Sequence, residues 1–212
     1  MNLPVIVLGA GGHAKVVVDA LIACSANVIG ITDADPSKAG RTVLVVRVIG
    51  GDDAVRTYSP SDVALINGVG SIGQTGARRT LFDKFKHLGY SFATVVHPSA
   101  TIASSARLGE GAQVMAGGVI QPDCTIGVNT IINTNASIDH DCVIGAHVHV
   151  APGVTLSGGV RVGDNVHIGS GSTVLQGVTL GADCIVGAGS VVLAAIPPGH
   201  KVAGVPAVRL KT

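Results

Sequence analysis

The sequence predicts an α/β plus β architecture: a small parallel α/β domain over residues 1–96, a parallel β-helix of hexapeptide repeats over 97–195, and a short tail over 196–212. Three observations carry this. Every sixth residue from Ile102 to Val192 is aliphatic, sixteen in succession, a period that neither a helix nor a flat strand produces. The residue four places after each one, from Ala106 to Ser190, is small or slender, as the inner wall of a narrow prism requires. Before the repeat, apolar runs of strand length alternate with helical patterns, the order that builds a parallel sheet with crossover helices.

Residues 3–8 (Leu-Pro-Val-Ile-Val-Leu) read as a buried parallel strand. Residues 13–24 read as a helix turning Val16, Val17, Ala20, Leu21 and Cys24 inward. A strand at 28–32 ends at Asp33, and a loop follows at Asp35-Pro36-Ser37. Residues 43–49 are β-branched and extended, 54–58 suit a short helix, and 63–67 form another buried strand leading into Gly68-Val69-Gly70-Ser71. A helix runs from Gln74 to Leu88, and 91–96 give a last strand. His97-Pro98 marks the change of period. Within the repeat, Gly follows the aliphatic residue at 109, 127, 145, 163, 169, 181 and 187, where a turn with positive φ is expected. The repeat resembles that of hexapeptide-repeat proteins, which implies three faces per turn and so a coil of eighteen residues and about five coils. Gly204-Val205-Pro206-Ala207 suits a turn in the tail.

Composition narrows the function. With 30 glycines, five Phe and Tyr and no Trp, the core must be stacked aliphatics. A formal net charge of +1 without a Lys/Arg run argues against nucleic acid as a partner. Cys24, Cys124, Cys142 and Cys184 form no CxxC pair and read as reduced thiols of a cytoplasmic protein. The apolar start lacks a basic segment, so it does not read as a signal peptide, and no apolar run suits membrane insertion.

Two stretches carry chemistry. Gly9-x-Gly11-x-x-Ala14 lies between a strand and a helix, with Asp33 at the end of the next strand. This approaches a dinucleotide fingerprint, in which glycines let the backbone meet a diphosphate at a helix N-terminus. The domain is short for a two-half dinucleotide unit, which favours a single nucleotide over NAD. Gly11, Gly12, His13, Lys15 and Asp33 are the candidate contacts; a tight turn that binds nothing is the bland alternative. On the repeat, His140 stands between acids in Asp139-His140-Asp141. A carboxylate beside an imidazole fixes its tautomer and raises its basicity, which suits a general base; a solvated surface histidine is the alternative. His149 and His167 are eighteen apart and should stack, a spacing open to zinc, yet no third ligand follows at matching spacing, so no metal is expected.

Taken together, Gly9–Lys15, the Gly68-Val69-Gly70-Ser71 loop, Asn133 through His149 and Gly204-Val205-Pro206-Ala207 make nearly the whole chain resemble the bacterial nucleotide-sugar N-acetyltransferases and the related sialic-acid O-acetyltransferases. The resemblance implies a left-handed β-helix, a Rossmann-like N-terminal domain and a homotrimer, with acetyl-CoA as co-substrate in the groove between neighbouring β-helices. It implies His140 as base with Asp141 orienting it, His149 hydrogen-bonding near the thioester, and backbone contacts to CoA at Gly158 and Ser170. It implies nucleotide-sugar contacts at Gly11, His13, Asp33 and Gly70, with Gly12, Lys15 and Ser71 beside them. The His-Asp pair and the Gly-Val-Gly-Ser loop favour a 4-amino-4,6-dideoxy sugar such as that of GDP-perosamine, used in surface glycans such as lipopolysaccharide O-antigen. O-acetylation of a sialic-acid-like sugar and a zinc-binding or structural β-helix stay open as alternatives.

Overall fold

The computed structural model describes residues 3–71 and 75–210. The α/β domain contains β1 (Val5–Leu8), α1 (Gly12–Ala23), β2 (Val28–Thr32), β3 (Thr42–Val43), β4 (Val46–Gly50), β5 (Ala64–Asn67), α2 (Gly76–His87) and β6 (Ser91–Phe92). Its sheet has the order β3-β4-β2-β1-β5-β6. All neighbours are parallel except β3 and β4, which form a hairpin through Leu44 at φ 53°. β1 is buried at every residue because it is the central strand, with β2 and β5 on its two sides. The run at 43–49 is therefore two strands. The short helix expected at 54–58 is a 3₁₀ segment over Asp52–Thr57. The start of the second helix at Gln74 lies outside the described residues.

α1 buries Ala14, Val17, Val18, Ala20 and Leu21, while Val16 is turned outward at 40% exposure. The expected inward Val16 fails because Gly12–Ala23 places Ala14, Val17, Val18 and Leu21 on the sheet side, one i, i+3, i+4, i+7 stripe. The expected strand at 91–96 is also divided. Ser91–Phe92 pairs with β5, but Val95–Val96 already pairs with Gln113–Val114 and opens the β-helix ladder.

From there the register advances by eighteen residues per coil: Gln113 pairs with Ile131, Ile131 with His149, His149 with His167 and His167 with Ile185. Three parallel sheets enclose the prism. The aliphatic column and the slender column meet inside it; Val114, Ile132, Val150 and Ile168 are fully buried, as are Ala112, Cys124, Cys142, Ser172 and Ser190. Full burial of each large aliphatic is worth about 1.5–3 kcal/mol, so the stack supplies the stability that few aromatics could. Cys124 and Cys142 lie on adjacent coils as free thiols, donating to the carbonyls of Asp139 and Ser157.

The turns differ from expectation in one respect. Positive φ falls three residues after the aliphatic position, at Gly111, Gly117, Asp123, Asn129, Asn135, Asp141, His147 and Gly153, and continues to Gly189. Asn, Asp and Gly tolerate this conformation best. The glycines directly after the aliphatic residue serve another need. A Cβ on Gly109 would stand 2.7 Å from Val128 N, and one on Gly163 would stand 2.6 Å from Ala182 N. Successive coils approach too closely there for any side chain. In the tail, Lys201–Ala203 pairs antiparallel with Val208–Arg209 around the expected turn.

Candidate active site

The α/β domain docks on the face of the prism that carries Gln113, Ile131, His149 and His167. Buried polar groups join the two units. Arg78 of α2, 1% exposed, donates from Nη1 to Asn67 O and Val69 O (2.8 Å each) and from Nε to Asn129 O (3.0 Å). Burial pushes its guanidinium down to about 9, still charged at neutral pH. Arg78 thus ties the loop after β5 to the β-helix.

A cavity of about 610 Å³ opens beside this junction. One wall is the glycine loop after β1, Gly9 to His13, with Asp33 and Lys38 behind it; another is Gly68 to Ser71; the floor is Asn133, Thr134, His149 and Pro152 of the β-helix. Gly11, Gly12, His13, Asp33, Gly70 and Ser71 are therefore brought together. Lys15 is not: it is exposed on α1 and does not line the cavity. Asp33 braces the loop, accepting from Ala10 N (2.7 Å), Lys38 Nζ (2.9 Å) and Asp35 N (2.9 Å). Burial works to raise its pKa, but Lys38 and these amides hold it below the ordinary value. Gly70 lies against His13, whose Cβ a side chain at 70 would meet at 3.0 Å.

Gln113 fixes His13. Its Nε2 donates to Asn67 O (2.8 Å), which turns Oε1 toward His13 Nε2 at 2.8 Å. An amide oxygen only accepts, so His13 carries its proton on Nε2. Burial, with Arg78 nearby, pushes His13 down to about 4, so it is neutral and Nδ1 is an acceptor.

A second cavity of about 450 Å³ shares Ser71 and His149 with the first and continues along the same edge of the prism past Ala151, Pro152, Gly169, Ser170, Gly187 and Ala188. Pro152, Ser170 and Ala188 are eighteen residues apart and form its rail, and Thr134, one coil earlier, lines the first cavity. Where the cavities meet, Asn133 Oδ1 accepts from Thr134 N (2.8 Å), so its Nδ2 faces His149 Nε2 (3.1 Å). His149 then donates from Nδ1 to Ser71 Oγ (2.7 Å), and Ser71 turns its own proton to His167 Nδ1 (3.3 Å). Burial first, then His167, His13 and Arg78, hold His149 down to about 3. It is a neutral imidazole with both nitrogens engaged. The two rings stack edge to face, 5.1 Å apart. No group of three or more His, Cys, Asp or Glu among the described residues is arranged to hold a metal ion.

His140 and Asp141 lie elsewhere, on the next edge of the prism, in the turn between Ser137–Ile138 and Val143–Ile144. His140 Nδ1 bonds Asp141 Oδ2 at 2.7 Å and the side chains are 53% and 65% exposed. A carboxylate only accepts, so Nδ1 donates and Nε2 is left as the free basic nitrogen. The bond to Asp141, with Asp139 nearby, raises the His140 pKa above 6.5. Asp141 has φ 61°, so it also fills a left-handed turn position. Neither cavity includes His140. Gly158 does not line either cavity of the single chain; it lies directly against the His140 ring.

The glycine loop and the shared cavity are carried on a prism of hexapeptide repeats. The PglD N-terminal domain family matches residues 4–85, and the bacterial transferase hexapeptide family (six repeats) matches 159–194. A histidine-to-asparagine mutant of perosamine N-acetyltransferase from Caulobacter crescentus, solved with CoA and GDP-perosamine, is 43% identical over 100% of this chain and 99% of its own, with a TM-score of 0.92. The acetyltransferase domain of PglB from Neisseria gonorrhoeae, solved with acetyl coenzyme A, is 36% identical over 99% of this chain and 100% of its own, with a TM-score of 0.91. Among curated proteins none matches. The chain belongs to the hexapeptide-repeat nucleotide-sugar N-acetyltransferases, acetyl-CoA-dependent enzymes whose prism is a left-handed parallel β-helix.

Proposed function

We propose that this protein transfers the acetyl group of acetyl-CoA to the 4-amino group of a GDP-linked 4-amino-4,6-dideoxy sugar, with GDP-perosamine as the favoured acceptor. The carrying observation is the pair of cavities that meet at Ser71 and His149. The first suits a nucleotide-sugar, whose diphosphate would lie on Gly11 and Gly12 at the N-terminus of α1. The second suits the pantetheine arm, along Ser170. In this reading residues 1–96 hold the acceptor and 97–195 the donor.

The amine attacks as the neutral base. His140 Nε2 takes its proton, the nitrogen forms its bond to the acetyl carbon, and the carbon–sulfur bond breaks to release CoA thiolate, which is protonated by the His140 imidazolium or by solvent. Asp141 holds the resulting imidazolium. His13, as an acceptor, orients a donor of the sugar. His149 holds the junction through Ser71 and Asn133.

His140 and the cavities occupy different edges of one chain. We therefore infer a homotrimer in which His140 of one copy faces the cavity of the next. No described helix is long and apolar enough to cross a membrane.

The test is thiol release from acetyl-CoA against GDP- and UDP-linked 4-amino sugars. Transfer to GDP-perosamine, lost about 10²–10⁴-fold in His140→Ala, is expected. Silence across the amines with transfer to a sialic-acid hydroxyl overturns the acceptor. Mixed trimers of His140→Ala chains with chains blocked at the cavity by Gly12→Trp should regain activity; if they do not, the shared site is wrong.

A further inference from the structure

We propose that Gly158 is a positioning residue for the base, its bare Cα serving as the floor on which the His140 imidazole rests. This rests on the reading of His140 as base. Gly158 follows His140 by one coil on the same edge, and the stack is closed by Gly159 N donating to His140 O at 2.8 Å. A Cβ built on Gly158 would lie 2.6 Å from His140 Cε1, 2.7 Å from Nε2 and 3.3 Å from Cδ2. These atoms are Nε2, the nitrogen not bonded to Asp141, and the two ring carbons that flank it. No alanine coexists with the ring in this place.

The backbone supplies no rival reason for a glycine. Gly158 is not among the residues with positive φ, whereas Gly159, Gly171 and Gly177 are, and a Cβ on each of those three meets nothing within 4 Å. At those positions glycine answers the turn; at 158 it answers a side chain. His140 is thereby held at two points: Asp141 grips Nδ1, and the ring, Nε2 included, lies down over the glycine surface. A methyl group at 158 would lift the ring and break the geometry that Asp141 sets, while the coil's backbone stays as it is.

The experiment is a double-mutant cycle on acetyl transfer. Gly158→Ala should lower kcat about 10–10²-fold, the cost of misplacing a base by about 1 Å. The acid limb of its pH–rate profile should move to lower pH, because the His140–Asp141 bond is weakened. In the His140→Ala background, where no ring remains to be displaced, the same alanine should cost nothing further. An equal fold-loss in both backgrounds would overturn the proposal and place the effect of residue 158 on the coenzyme groove instead. Wild-type turnover in Gly158→Ala would overturn it as well. Wild-type turnover in His140→Ala would remove the base reading itself, a separate outcome. The double variant carries no clash, so its folding checks that alanine at 158 is tolerated by the backbone.

Discussion

Acid should weaken this fold through its buried histidines, most strongly His149 and His13. Burial holds His149 down to about 3 and His13 down to about 4, against 6.5 for a free imidazole. Both folded values lie below the unfolded one. Between about pH 6.5 and 4 the unfolded chain therefore binds protons that the folded chain refuses. The stability is fully present above pH 6.5 and is lost as pH falls toward the folded values. Each such proton is worth about 1.4 kcal/mol per pH unit, so going from pH 8 to pH 5 costs about 2 kcal/mol per histidine. Replacing His149 by Asn removes one of the two. Urea unfolding, followed by circular dichroism because the chain has no Trp, would be run at fixed protomer concentration at both pH values. The wild type should lose about 2 kcal/mol more than His149→Asn between pH 8 and pH 5. Carboxylates contribute to both proteins and cancel in the difference. An identical loss would refute the reasoning, since His149 would then titrate alike in both states.

Asp141 raises the His140 pKa above 6.5. A base must be neutral to work, so kcat/KM should fall as pH drops through that raised value. Asp141→Asn should move the acid limb to lower pH and depress the plateau; a limb that stays in place would mean that another group titrates. Gln113→Glu places a carboxylate beside His13 Nε2 and removes one of the two side-chain donors of Asn67 O, leaving only Arg78 Nη1. It should cost about 1–3 kcal/mol of stability and weaken GDP-perosamine binding relative to GDP at pH 7 by calorimetry. An unchanged ratio of the two affinities would show that the His13 acceptor plays no part in holding the sugar. Gly163→Ala pushes a methyl group against Ala182 N and should cost about 1–3 kcal/mol by urea unfolding; a neutral result would mean that the coils part freely.

The β-helix was legible because its geometry is one-dimensional. One aliphatic every six residues marks the faces, and the three-sided coil that the resemblance implies turns this into a register of eighteen, so the pairing of His149 with His167 followed from both together. The positive-φ turns were misplaced by two residues, although their signal was printed in the chain as Asp123, Asn129, Asn135 and Asp141. The cavity was legible only in part. Gly11, His13 and Asp33 belong to a local strand–turn–helix motif, but Asn133, Thr134 and Pro152 complete it from a distant coil. What joins them is the docking of one unit on the other through Arg78, Asn67 and Gln113. No local pattern marks a side chain as a bridge between units. Lys15 illustrates the converse: its motif is right, but the helix turns it away from the cavity.

The eighteen-residue register makes the prism a ruler. Each coil raises a side chain along the axis by about 4.8 Å, the spacing of hydrogen-bonded strands, without rotating it to another edge. The height of His140 relative to the nucleotide loop is thus set in whole steps. Inserting or deleting one coil between Val95 and His140 would move the base by one step and leave the core pattern intact. Regiochemistry on a sugar ring, where neighbouring positions are separated by less than one such step, would then be tuned by the α/β domain's grip on the acceptor, with coil number setting only the coarse scale.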